Sequence, residues 1–216
     1  MNELTLLIPA KNEAESLPIV LDELKKYDYK INIILHITDL DTIQAIREYD
    51  VNIIYQENSG YGDALIQGIK QCKTKYFCIF NADGSFNPSE INQMLKTLQS
   101  KKLDFIFASR YDANSGSDDD TVLTLVGNYI FTYIGKIFFK LNITDILYTF
   151  VIGKTEQAKK LNLNQKDFSF CVELPIKAKK MKMQLGNINS YERKRIAGKK
   201  KVNAFKDGFL ILKHMI

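Results

Sequence analysis

Two kinds of side chain in this sequence can do chemistry on phosphate groups: acids placed at strand ends, and cations spaced to grip phosphate oxygens. Asn81-Ala82-Asp83 has the spacing of a D-x-D motif whose first acid is replaced by an amide. In that arrangement a carboxylate holds a magnesium or manganese ion against a diphosphate, and the ion neutralises charge as the diphosphate departs. Taken alone, an aspartate before glycine reads as a turn residue, so the neighbouring residues decide. Arg110 follows an apolar run, and Arg195 with Lys201 stands in a basic stretch. A guanidinium can take phosphate oxygens two at a time, whereas lysine acts as a point charge. The alternative for Arg110 is an ion pair with Asp112 or with the Asp118-Asp119-Asp120 run. Asp145 and Glu173 are isolated acids that could serve as a general base if the acceptor were a hydroxyl. Glu173 could equally be a structural carboxylate paired with Arg193 or Arg195.

These residues need a scaffold that brings strand ends together. Leu4 to Ile8, Ile31 to Ile37, Val51 to Tyr55, Lys75 to Phe80 and Asp104 to Ser109 read as buried strands. Helical patterns lie between them, over Glu13 to Lys26, Asp41 to Tyr49, Gly62 to Lys70 and Ser89 to Gln99. Alternation of this kind predicts an α/β fold with a mostly parallel, Rossmann-like sheet flanked by helices. Asp83 then falls at the carboxyl edge of the sheet, where ligands bind in open α/β folds. From about Asp112 the alternation gives way to an acidic loop, a long apolar helix and a basic helical appendage.

Composition narrows the class. A chain of 216 residues, 45% hydrophobic and 25% charged, fits one domain, with residues 1–111 as the ligand-binding half and 112–216 as the second half. Cys72, Cys78 and Cys171 are far apart and only His36 and His214 accompany them, which argues against a disulfide framework or a zinc site. The stretch Met1-Asn2-Glu3-Leu4 runs straight into the first strand, so no secretory leader is expected. The apolar pattern at Ile216 allows for a longer chain. A cytoplasmic location is expected, with peripheral contact at the inner face of a membrane.

The net charge of +5 is unevenly spread, since 12 of the 30 Lys and Arg residues lie from Lys177 onward against only Glu192 and Asp207. Such a cluster can meet nucleic acid, anionic lipid or a phosphorylated substrate, or be a solvated face. It lacks the aromatic interleaving of a nucleic-acid stacking platform, so no nucleic-acid partner is expected. Val122 to Leu141 is long and aromatic-rich but broken by Gly127-Asn128, Gly135-Lys136 and Lys140. It reads as a buried or interfacial helix, through core packing or an oligomer interface or else resting on a bilayer surface, rather than a membrane span. Phe205, Phe209, Leu212 and Ile216 share a helical face that could pack on the domain or rest on a bilayer.

Four motifs occur in order after successive strands: Ile8-Pro9-Ala10-Lys11-Asn12-Glu13, Asn58 to Leu65 including Gly60-Tyr61-Gly62-Asp63, Asn81 to Ser85, and Ala108-Ser109-Arg110-Tyr111. With Arg195-Ile196-Ala197-Gly198-Lys199-Lys200-Lys201, which looks like an RxxGxSK element, the sequence resembles the family 2 glycosyltransferases of GT-A type. Within them it resembles the dolichyl-phosphate mannose synthase and polyprenyl-phosphate glycosyltransferase branch. The resemblance implies a magnesium- or manganese-dependent, inverting transfer of sugar from a GDP- or UDP-sugar to a polyprenyl phosphate or related acceptor. It implies that Pro9, Ala10 and Glu13 line the nucleotide pocket, that Gly60 and Gly62 let backbone approach the donor, and that Asp83 binds the metal. Asn81 would contact the donor or a metal-bound water, and its missing charge departs from the family's pattern. Asp39, in a segment that lacks the family's D-D-x-S-x-D-x-T stretch, would contact ribose or base. Arg110 would steady a phosphate, and Arg195 with Lys201 would bind the acceptor phosphate. Two other outcomes stay open: extension of a glycan at a sugar hydroxyl, with Asp145 or Glu173 as base, and sugar-nucleotide binding without turnover.

Overall fold

The computed structural model describes residues 3–197 and 204–215. Strands β1 (Leu4–Pro9), β2 (Lys30–Leu35), β3 (Asn52–Tyr55), β4 (Tyr76–Ile79) and β5 (Phe105–Ser109) form where the apolar runs require them. Between them run α1 (Leu17–Leu24), α2 (Leu40–Ala45), α3 (Tyr61–Gln71) and α4 (Ile91–Ser100). The second half adds β6 (Gly116–Ser117), α5 (Val122–Phe139), β7 (Val151–Lys154), α6 (Thr155–Lys160), α7 (Phe170–Lys180), β8 (Leu185–Asn189), β9 (Tyr191–Glu192) and α8 (Ala204–Met215).

One seven-stranded sheet has the order β3-β2-β1-β4-β7-β5-β8, so strands from both halves are woven into it. All its pairings are parallel except those of β7, which runs antiparallel to both β4 and β5. A parallel sheet is covered on both faces, which is why its strands are near-continuous apolar runs rather than alternating ones. Side-chain alternation splits β1 between two cores: Leu4, Leu6 and Ile8 pack with α1 and α4, while Leu7 packs with α3 and α7.

The parallel strands all end at one edge. There the loops after Pro9, Leu35, Ile79 and Ser109 converge. A short parallel pair, β6 with β9, ties the loop after β5 to the segment after β8. It is this pairing that brings the acidic run 118–120 over to the basic stretch beginning at Arg193.

Helix α5 departs from the core-packing expectation: only 17% of its residues are buried. Helix α8 does pack on the domain, but through Ile211 and Met215, while Phe209 points outward. Lys201 and Ile216 lie outside the described residues.

Candidate active site at the carboxyl edge of the sheet

The first loop is shaped by Asp39. Its carboxylate accepts hydrogen bonds from the backbone N–H of Asn12 at 2.7 Å and of Thr42 at 3.4 Å, so the same side chain caps α2 and holds the loop after β1. Glu13 N donates to Thr42 Oγ1 at 2.9 Å, and Ser16 Oγ donates to Glu13 Oε2 at 2.7 Å. A cavity of ≈ 240 Å³ opens here, lined by Asn12, Glu13, Ser16, Asp39, Asp41 and Ala197. Glu13 and Asp39 thus line one cavity. Ala10 is buried in the core with its N–H on Ile34 O, beneath the cavity rather than in its lining, and Pro9 closes β1. A larger cavity, ≈ 520 Å³, sits among Lys75, Lys102 and Lys154 at the opposite edge and holds none of the motif residues.

After β4 the chain turns at Gly84 with φ +81°, a left-handed conformation that suits glycine. A Cβ there would also come within 2.4 Å of Ile196 Cδ1, so a larger residue at 84 would push aside the side chain that closes over the loop. Ile196 N donates to Asp83 O at 2.8 Å, fixing the closure. Asp83 Oδ1 accepts from Ser85 N at 3.0 Å, and Asn81 Nδ2 donates to Ser85 Oγ at 3.1 Å. Asp83 Oδ2 lies 3.4 Å from Arg195 Nη1. Arg195 is held from the other side by Asp119, with Nη2 at 2.8 Å and Nε at 3.2 Å. The hydrogen bond to Asp119, with the charge of Asp83 beside it, raises the Arg195 pKa further against the opposing effect of burial.

Arg110 is held by two acids. Its Nε and Nη2 donate to Asp145 at 2.7 and 3.0 Å, and its Nη1 donates to Glu192 at 3.0 Å. Its guanidinium also lies over the Tyr148 ring, 4.5 Å from the centroid. Burial alone would lower its pKa, but Asp145 and Glu192 more than reverse this, so the group stays charged. With Nε, Nη1 and Nη2 each bonded to an acid and its side chain 11% exposed, Arg110 is a buried strut between β5, β9 and the 145–148 segment. Its partners are neither Asp112 nor the 118–120 run.

Asp145 is buried with Arg110 and does not stand open as a base. Its side chain is fully buried, and it also accepts from Arg110 N at 3.1 Å and from Asn128 Nδ2 at 2.8 Å. A carboxylate engaged by four donors cannot reach a substrate hydroxyl. Glu173 accepts from the backbone N–H groups of Asn164 and Gln165 and pairs with Lys177 at 2.7 Å, not with Arg193 or Arg195. Arg193 instead forks onto Glu23 at 2.8 and 2.9 Å.

Gly60 and Gly62 are glycines because of this chain's own backbone. A Cβ on Gly60 would sit 2.1 Å from Lys166 O, and one on Gly62 would sit 2.1 Å from Gln165 O. The close approach seen here is that of the 165–167 loop.

The site's least foreseen members are Asp119 and Glu192. Three consecutive acids ahead of an apolar helix did signal a cation nearby, but the β6–β9 pairing that selects Arg195 is only two residues long and leaves no periodic trace.

Residues 5–161 match Glycosyl transferase family 2, and the chain belongs to that family. It is a glycosyltransferase, transferring sugar from a nucleotide sugar. It is 25% identical over 194 residues to Uncharacterized protein MJ1222 of Methanocaldococcus jannaschii, covering 87% of this chain and 80% of that one. It is 23% identical over 207 residues to the UDP-N-acetylglucosamine–dolichyl-phosphate N-acetylglucosaminyltransferase of Methanococcus voltae, covering 85% and 82%. In structure it resembles glucosyl-3-phosphoglycerate synthase of Mycobacterium tuberculosis, solved with Mn2+, UDP and glucosyl-3-phosphoglycerate. The TM-score is 0.76 at 11% identity, covering 99% of this chain and 80% of that one. That likeness establishes the α/β fold, with its mixed, mostly parallel sheet flanked by helices.

Proposed function

We propose that this glycosyltransferase moves its sugar from a UDP- or GDP-sugar to a polyprenyl phosphate or closely related lipid phosphate, with inversion at the anomeric carbon. The observation that carries the acceptor class is the sequestration of Asp145 and Glu173. The two acids that could have served a hydroxyl acceptor are both committed to structural hydrogen bonds. A phosphate acceptor is already ionised at neutral pH and asks only for orientation and charge screening. Arg195 supplies a cation of that kind beside Asp83. The dolichyl-phosphate substrate named for the Methanococcus voltae relative supports the same class.

The donor set suits a magnesium or manganese ion. Among the described residues no group of three or more His, Cys, Asp or Glu gathers to cage a metal. One carboxylate, Asp83, with the neutral amide oxygen of Asn81 on the same loop, matches an ion that takes most of its ligands from diphosphate and water. The Mn2+ and Mg2+ complexes of glucosyl-3-phosphoglycerate synthase support this. When bound, the ion would offset the charge gathering on the leaving diphosphate.

The chain's own residues do the rest. Glu13 and Asp39 shape the pocket that takes the nucleoside. Arg195 turns from Asp83 toward the acceptor phosphate, whose oxygen forms the new bond to the anomeric carbon as the bond to the diphosphate breaks. The Arg110–Asp145 pair holds β5 and the 145–148 segment in place around the site.

The test is a panel of UDP- and GDP-sugars with a short polyprenyl phosphate, with manganese, magnesium or chelator, and with Asp83→Ala in parallel. Transfer to the lipid that needs metal and vanishes in the variant is the expected result. Efficient transfer to free sugar hydroxyls, with none to lipid phosphate, would overturn the acceptor class.

A further inference from the structure

Helix α5 is amphipathic the wrong way round for a helix that faces water. Its buried residues are Asn128, Thr132 and Gly135. Asn128 bonds Asp145 and the N–H of Leu147, and Thr132 Oγ1 accepts from Ile146 N, so polar contacts anchor the helix to the domain. The outward face carries Val122, Val126, Tyr129, Ile130, Tyr133 and Ile137, each about half exposed or more. At 3.6 residues per turn these positions fall on one stripe about 100° wide running the length of the helix. A surface helix in water shows the opposite pattern, and a continuous apolar stripe of this size marks an interaction surface.

We infer that this stripe docks the protein on an anionic bilayer, with α5 lying in the plane of the interface. Charge complementarity selects that occupant. Lys136 stands exposed on the helix and Lys140 at its C-terminal cap, and Lys180 lies over the Phe139 ring at 5.6 Å. The helix itself contains no acid. The acids just ahead of it are turned to internal partners: Asp118 to Tyr191, Asp119 to Arg195, and Asp120 to Tyr111 and Thr124. Two tyrosines within an aliphatic stripe, with lysines toward one end, are the composition of an interfacial helix. On the apolar partner itself the inference rests in part on the lipid-phosphate acceptor proposed above. The stripe begins at Val122, three residues after the Asp119 that holds Arg195, so a bilayer under α5 would present phosphate headgroups next to the site.

The sequence contains no tryptophan, so Ile130→Trp installs a single reporter on the stripe, and Ile19→Trp installs one at an exposed position of α1. The full chain is mixed with phosphatidylglycerol-containing or pure phosphatidylcholine vesicles, some carrying brominated acyl chains, with no donor, metal or acceptor present. The expected result is bromine quenching at residue 130 and not at residue 19. Binding should favour the anionic vesicles and fall about tenfold or more in Lys136→Glu/Lys140→Glu and in Val126→Gln/Ile137→Gln. Absence of vesicle binding, equal quenching at both positions, or a stripe buried instead in a salt-stable dimer by sedimentation would overturn the inference. Because no turnover is measured, vesicle binding without lipid glycosylation would sink the acceptor class and leave the docking face standing.

Discussion

Arg195 stands between two carboxylates and is anchored on one of them: its contacts to Asp119 are 2.8 and 3.2 Å, while Asp83 Oδ2 is 3.4 Å away. The guanidinium thus pairs more loosely with the proposed metal ligand than with Asp119, and Asp119 sets where it stands. Asp119→Asn removes the charged half of that anchor. The KM for the lipid phosphate should rise about tenfold, the scale of one charge-assisted hydrogen bond, with the thermal midpoint nearly unchanged. Steady-state kinetics at saturating donor would show it, and an unaltered KM would remove Arg195 from acceptor binding.

Asp83 is the one carboxylate on the loop after β4, and Asn81 supplies only a neutral oxygen. Asp83→Asn should cost roughly 10²-fold or more in kcat while leaving the fold intact. Asn81→Asp, which adds a second negative charge two residues away, should lower the manganese concentration needed for half-maximal activity. A metal titration of both variants decides this, and an unchanged metal requirement in Asn81→Asp would place residue 81 away from the ion.

Arg110→Lys cannot reproduce a fork that serves Asp145 and Glu192 together. Leaving either acid buried without its partner should cost about 3–5 kcal/mol of stability. Urea unfolding of Arg110→Lys and Asp145→Asn is the measurement. A variant with wild-type stability but no turnover would return Arg110 to a direct role at the phosphate.

The parallel strands and their helices were legible because each rests on a local period: apolar runs for strands buried on both faces, and spacings of three and four for the helices. Asp83 was legible for the same reason, since a strand's end fixes where its next residue stands. The partners of Arg110 were not legible because Asp145 and Glu192 are 35 and 82 residues away and meet it only when β7 inserts between β4 and β5. Gly60 and Gly62 showed that backbone comes close, but not whose backbone. In α5 the apolar pattern was visible, while the face it turns outward depended on Asn128 and Thr132 finding partners in the 145–147 segment.

Glu90 offers a pH test of the contact between the helical turn at Pro88–Glu90 and the segment after β8. Its carboxylate accepts from Ser190 Oγ at 2.6 Å and from Tyr191 N at 3.1 Å. Burial pushes its pKa up from 4.5, and these two hydrogen bonds only partly oppose the rise. A carboxyl whose pKa is higher folded than unfolded takes up protons on folding. Its contribution is fully present below the unfolded value and is lost as pH rises through the folded one. Glu90→Gln keeps a neutral group of the same shape at every pH. The stability of the wild type relative to this variant should therefore increase as pH falls from about 7 to about 4, even while other acids, such as Asp120 with its lowered pKa, destabilise both proteins alike. Denaturant midpoints of the two proteins across that range give the difference directly. A flat difference would mean that the hydrogen bonds from Ser190 and Tyr191 cancel burial at this site, and one that grows toward neutral pH that they outweigh it.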